Sequence, residues 1–204
     1  MNTKINNSNT GIEIPPVEIS ELNDKIFKNI PKFENIEQLN IELENMKFMS
    51  DNAIENYKNI LINFTETLIS VCGNQVLKTY KTDIIDSINK YPKKIIDTFI
   101  IHGYMKNNSL YRKEIIIGNE SFFLNESYKE YTNGHPSSVV DYIFQFKTFW
   151  NKLNQNNKYI IKMFLLTLCS YADERYIIFN RYNYIKKEYF TLYNKLFLVY
   201  DPII

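Results

Sequence analysis

SVVDYIFQFKTFWNKLNQNNKYIIKMFLLTL, residues 138–168, is the stretch whose reading decides the fold class. Ser138 followed three positions later by Asp141 resembles a capping box: the hydroxyl accepts from a free N–H of the first turn, and the acid sits at the positive end of the helix. Val139, Ile143, Phe146, Trp150 and Leu153 then recur every three or four residues, with Val140 and Phe144 widening the face. That spacing predicts a core-facing helix. Asn154-Gln155-Asn156-Asn157 supplies a turn, after which Ile161, Phe164, Leu165, Leu168 and Ala172 form a second stripe, with Lys158 and Lys162 on the wet side. Joined by so short a turn, the two helices are expected to pack as antiparallel neighbours.

Working back toward the start, residues 34–72 carry a second long pattern. Ile36, Leu39, Leu43, Met46, Ala53, Tyr57, Ile60, Phe64 and Val71 alternate in steps of three and four, with Ser50 and Thr67 at the gaps. Unbroken, such a helix spans about 55–60 Å; a break near Ser50-Asp51 would make it two. The first half is narrow and flanked by Glu37, Glu42 and Glu44, so Ile36, Leu39, Leu43 and Met46 are candidate partner-binding residues. Gly73 stands where a helix C-cap glycine would, and Pro92 suits the first position of a later helix that Gly103 would close. From Tyr111 to Ile117 the residues are β-branched or aromatic. Gly118-Asn119 then reads as a hairpin turn and Ser121–Leu124 as a return strand, which predicts a small β-hairpin near 111–124.

Residues 1–33 read as an N-terminal arm, rich in Asn and Ser and punctuated by Pro15-Pro16 and Pro31. Ile12, Ile14 and Val17 around the prolines suit an extended segment lying in a groove of this chain or of a partner. Ser20 would cap a short helix bearing Leu22, Ile26 and Phe27. At the other end, Ile185, Tyr189, Leu192, Leu196 and Val199 form a core stripe. Arg175, Arg181, Tyr182, Tyr184, Lys186 and Lys187 interleave bases with aromatics around it, the raw material for stacking on single-stranded nucleic acid. The spacing matches no RRM, zinc finger or recognition helix.

The run Phe146-Lys147-Thr148-Phe149-Trp150-Asn151-Lys152-Leu153, with Lys158, Ile161, Leu165 and Leu168 after it, resembles a segment of small uncharacterised helical proteins of large nucleocytoplasmic DNA viruses. It covers about a tenth of the chain. The resemblance implies a viral setting and no catalytic residue. The abundance of Asn, Ile, Lys, Tyr and Phe beside five Gly and six Pro is the bias of an AT-rich genome.

The 204 residues, 45% of them apolar, suffice for one domain with a real core. The net charge of +1 hides a gradient: residues 1–75 hold six Lys against eleven acids, and residues 139–204 nine bases against five acids. Overall balance argues against a protein whose main task is coating nucleic acid. Cys72 and Cys169 both lie in apolar stripes and read as buried thiols. With no secretory signal and no apolar run near the roughly 20 residues of a membrane span, an intracellular, cytoplasmic setting is expected, host cytoplasm or virion if viral.

His102 and His135 are the only histidines. Cys169, His135 and Asp141 can be drawn as a triad, but Asp141 already has a capping role, and no phosphate-cradling glycine loop, GxSxG or paired zinc histidines occur. The reading is therefore a mainly α, irregular multi-helix bundle over residues 34–204, with a small β-hairpin insertion and an extended N-terminal arm. No enzymatic activity, cofactor, metal, membrane or small-molecule substrate is expected. The function expected is protein–protein interaction or assembly, with another protein or a second copy as partner. A nucleic-acid-associated factor using the basic, Tyr-rich C-terminal third is the alternative.

Overall fold

The computed structural model describes residues 20–73, 78–104, 106–127 and 147–196. Its frame is two long helices. α1 covers Ser20–Phe27 and α2 runs unbroken from Ile36 to Cys72, 37 residues or about 55 Å. Asn35 caps α2 by accepting from the Gln38 N–H at 3.0 Å, and the Gln38 side chain answers by accepting from the Glu34 N–H at 2.9 Å. Gly73, at φ 57°, ends it in the left-handed conformation as its position predicts. α3 (Lys81–Lys90) and α4 (Pro92–Thr98, Pro92 at the first position) lie against α2. α4 widens into a π-helical turn over Phe99–Tyr104 rather than closing at Gly103. α5 (Lys106–Ile117), α6 (Glu120–Asn125) and a helical segment at 147–152 follow. The second long helix, α7, covers Gln155–Glu188, and α8 (Phe190–Tyr193) with a 3-10 turn at Asn194–Leu196 folds back at its end.

α2 and α7 pack antiparallel, and the paired residues trace the seam. Leu39 and Leu43 share one apolar cluster with Tyr182 and Ile185, Tyr57 shares another with Leu168 and Ala172, and the rings of Phe64 and Phe164 lie 5.4 Å apart. Two apolar clusters result. One, with Phe33, Leu39, Leu43, Met46, Ile178 and Tyr182, sits at the N-terminal end of α2; the other gathers Leu22, Ile26, Tyr57, Ile96, Ile100 and Leu168. Ser50 and Arg175 occupy the seam between them. The Arg175 guanidinium is 3% exposed, donates from Nη1 to Ser50 Oγ at 2.5 Å, and faces Asp97 on α4 with Nε 3.2 Å from Oδ1. Ser50, the gap in the apolar series, is therefore a polar contact inside one continuous helix and not a break. Two residues before Arg175 on α7, Asp173 takes a forked pair from Arg112 of α5, at 3.0 and 2.9 Å, fixing α5 on the other side of α7.

The expected β-hairpin is not formed: among the described residues no strand occurs, and 111–124 is helical. Tyr111 and Ile115 point inward four residues apart, whereas Ile116 and Ile117 are exposed, a helical rather than an alternating pattern. Gly118, at φ 70°, donates to Ile115 O, and Asn119 donates to Glu114 O, a Schellman stop. The Asn119 side chain then accepts from the Phe122 N–H and starts α6. Gly118-Asn119 is a turn as read, but it joins two helices.

Residues 20–33, the described part of the N-terminal segment, are docked on the body, and Ser20 begins the short helix read there. Leu22, Ile26 and Phe33 are buried, and Arg181 of α7 donates to the Lys28 and Asn29 carbonyls at the end of α1. The hairpin turn is also shorter than read. Asn154 is the N-cap of α7, accepting from the Asn157 N–H at 2.8 Å, and residues 155–157 form its first turn. The C-terminal stripe is bent, because the chain leaves α7 at Tyr189 before Leu192 and Leu196. Ser138, Val139, Ile143 and Val199 lie outside the described residues.

Two outcomes follow. Asp97→Ala leaves a buried guanidinium facing an emptied position and is expected to cost about 3 kcal/mol in urea unfolding, while Arg175→Met, which removes the charge itself, costs less than half as much. Ser109 is fully buried with φ 64° and an unpartnered hydroxyl, so Ser109→Gly is expected to raise stability by about 1–2 kcal/mol in the same assay.

Candidate functional site

The partner-binding residues expected from sequence divide sharply. Leu39, Leu43 and Met46 are at most 3% exposed and belong to the protein's own core. Ile36 lies at the exposed start of α2, and Ile12, Ile14 and Val17 lie outside the described residues. The opposite side of the same half-helix carries the free apolar surface. Ile41 and Phe48, seven residues apart and about 180° around the helix from Leu39, are 56% and 67% exposed, with Met49 beside them. Exposed Glu37, Glu44 and Asp51 form a row along one side of these side chains, and exposed Gln38, Asn45 and Asn52 lie along the other. Glu42 faces inward enough to meet Arg181 at 3.5 Å. This face is apolar at its centre, acidic along one edge and amide-lined along the other.

The basic, aromatic set is largely engaged within the fold. Arg175 is buried, and Arg181 is tied to the α1 end. Tyr182 is fully buried with its hydroxyl bonded to that of Tyr193, and Lys186 lies over both rings at 5.8 and 5.1 Å. Tyr184 packs edge-on against Phe27 at 5.3 Å and is 37% exposed; Lys187 is exposed. Six groups read as one basic aromatic surface are thus mostly interior contacts of α7.

A cavity of about 430 Å³ lies between α2, α5, α6, the 147–152 segment and α7. Its walls are Phe64, Leu68, Ile115, Phe123, Leu124 and Leu165, with Trp150 and the buried Ile161 completing them. Glu114, Glu120, Lys147 and Lys162 also border it. Glu120, at the first position of α6, is a hub. Lys162 reaches Oε1 at 2.7 Å, while Trp150 Nε1 and Lys158 reach Oε2 at 3.0 and 3.2 Å, with Lys158 also 5.5 Å over the Trp150 ring. Hydrogen bonds from Lys162, then Trp150 and Lys158, hold the Glu120 carboxyl at about 2, well below the usual range. Sequence reasoning missed this site, since its walls come from five separated segments. Phe64, Trp150, Ile161 and Leu165 stand in separate helical stripes and Lys158 and Lys162 on a wet side, and nothing in those local patterns joins them.

Cys169 is buried, and that burial pushes its thiol up to about 12, only partly offset by Arg112. In the triad drawn from sequence it would be a protonated, enclosed sulfur; His135 and Asp141 lie outside the described residues. Burial likewise raises the nearby Tyr57 phenol. Among the described residues no three His, Cys, Asp or Glu side chains are grouped to hold a metal ion, and no helix is long and apolar enough to cross a membrane.

These features define an all-helical chain, in its described part, built on one antiparallel pair, with an acid-edged apolar face and an apolar cavity. No protein-family model matches it, nor does any curated protein or solved structure.

Glu120 provides a pH signature. Its folded value lies below the unfolded one, so its contribution to stability is complete above about pH 4.5 and is lost as pH falls toward 2. Acid titration followed by thermal melting is expected to show this decline in the wild type. In Glu120→Gln the melting temperature should be lower at neutral pH and the acid-range difference between the two proteins should vanish.

Proposed function

We propose that this chain is a non-enzymatic interaction or assembly protein that binds a protein partner through the outward face of the first half of α2. The single observation that carries the reading is the placement of Ile41 and Phe48. Two large apolar side chains project away from the core at heptad spacing, flanked on one side by a row of exposed acids and on the other by exposed amides. Apolar anchors bordered by polar and charged side chains are the anatomy of a protein interface, where the desolvated centre supplies affinity and the polar edges supply orientation. The complementary partner is a helix or surface with apolar pockets bordered by Lys or Arg. The arm residues Ile12, Ile14 and Val17 belong to the same proposal, as does the setting of a large DNA virus that the short resemblance implies.

The engagement of Arg175, Arg181 and Tyr182 within the fold weighs against nucleic acid as the main ligand, because stacking and phosphate contacts need those groups outward.

The test is affinity capture of the tagged wild type and of the Ile41→Asp/Phe48→Asp variant, washed at low and high salt, with protein and nucleic acid both quantified. Both positions are exposed, so the variant is expected to keep its helical circular dichroism and melting temperature. A stoichiometric protein that survives high salt on the wild type and is lost at least tenfold on the variant is the expected result. Equal retention by both proteins overturns the assignment of this face. Nucleic acid recovered at low salt and shed at high salt, with no protein partner, overturns the function itself.

A further inference from the structure

We infer that the cavity between α2, α5, α6 and α7 is a binding site for an uncharged, hydrocarbon-bodied ligand of medium alkyl-chain or two-to-three-ring size. Its volume, about 430 Å³, is nearly three times the roughly 150 Å³ of an apolar cavity that holds one benzene. It falls inside the range of small-molecule sites, about 300–1,000 Å³, where apolar walls and a few fixed polar groups are the rule. Phe64, Leu68, Ile115, Phe123, Leu124 and Leu165 remain half-buried in the folded chain, so a guest would remove further apolar surface from water on several sides at once.

The charge of the ligand follows from the four ionic groups at the border. Lys162 is held by Glu120, Glu120 by three donors, Glu114 by the Asn119 amide at 2.6 Å, and Lys147 by the Glu126 carbonyl at 2.5 Å. Each of these groups already has a hydrogen-bond partner within the protein, so an ionised head group would compete with those partners and gain less than it would from a bare charge. A neutral guest competes with none of them. The same contacts fix the wall, because Glu120 ties α6 to Trp150 and to α7 and so holds the cavity at its size. The site lies at the C-terminal half of α2, away from Ile41 and Phe48, and does not depend on the partner face.

The chain has one tryptophan, and it lines this cavity. The probes are N-phenyl-1-naphthylamine, 1-dodecanol and laurate. Excited at the red edge of tryptophan absorption, Trp150 is expected to transfer energy to bound N-phenyl-1-naphthylamine with one-to-one stoichiometry. Dodecanol should displace the probe at micromolar concentration and raise the melting temperature by several degrees, and laurate should be at least fivefold weaker. Filling the cavity with Leu68→Phe/Leu165→Phe should weaken the probe at least tenfold while helical content is kept. If the double variant does not fold, Leu68→Phe alone should weaken it at least threefold. Absence of energy transfer, displacement by no alcohol, or equal binding by the filled variants overturns the site. Laurate binding tighter than dodecanol, with a loss at high salt, overturns the neutral ligand class.

Discussion

Arg175 sets the alignment on which the rest of the fold rests. A guanidinium taken out of water is tolerated only where its hydrogen bonds are met, and here the groups that meet them come from two other helices, Ser50 on α2 and Asp97 on α4. Slide α7 by one turn along α2 and Arg175 would face Met46 or Ala53, with no polar atom to receive it. Apolar contacts alone would not forbid that slide, since leucines and isoleucines at helical spacing mesh in more than one register. The seam therefore trades some stability for a single arrangement, and both apolar clusters, α4 and the seat of α1 inherit their positions from it.

How much of this was legible depended on the range of the signal. The α2 periodicity, Gly73 and Pro92 were readable because caps and stripes are encoded by neighbours in sequence. The stretch 111–124 was misread for a physical reason: Ile and Tyr are common in strands, but Tyr111 and Ile115 are spaced for a helix, and the Gly118-Asn119 pair serves a Schellman stop and an N-cap as well as it serves a hairpin. For residues 20–33 the short helix was legible, but where it docks was not, because the groups that hold it, such as Arg181, lie about 150 residues away. The basic, Tyr-rich segment shows the same limit. Arg175 finds its serine 125 residues upstream, and nothing near it in sequence distinguishes a paired core arginine from a surface one.

The charge gradient along the chain has a structural use. Antiparallel pairing of α2 with α7 lays the acidic early segment beside the basic late one, and Glu42 meets Arg181 across the seam. The exposed row Glu37, Glu44 and Asp51 has no ion-pair partner among the described residues, so the acidic excess of the early chain is concentrated along one side of α2. The cavity at the other end of α2 has the opposite character, with its ionic groups engaged and its walls left apolar. One helix thus presents two chemically distinct regions about half its length apart.

The lock between α1 and α7 also dictates an order of events during synthesis. Leu39, Leu43 and Met46 are covered by side chains of α7, and the end of α1 is closed by Arg181. A ribosome delivers those partners only after more than a hundred further residues, and contacts of such long separation form late. Until then the nascent chain carries an amphipathic α2 with both its inner stripe and its outer apolar pair uncovered, the form most exposed to chaperones and to premature association. Completion of α7 ends that period by covering one side only, and the mature protein keeps Ile41 and Phe48 as the remnant of a helix that began life sticky on two faces.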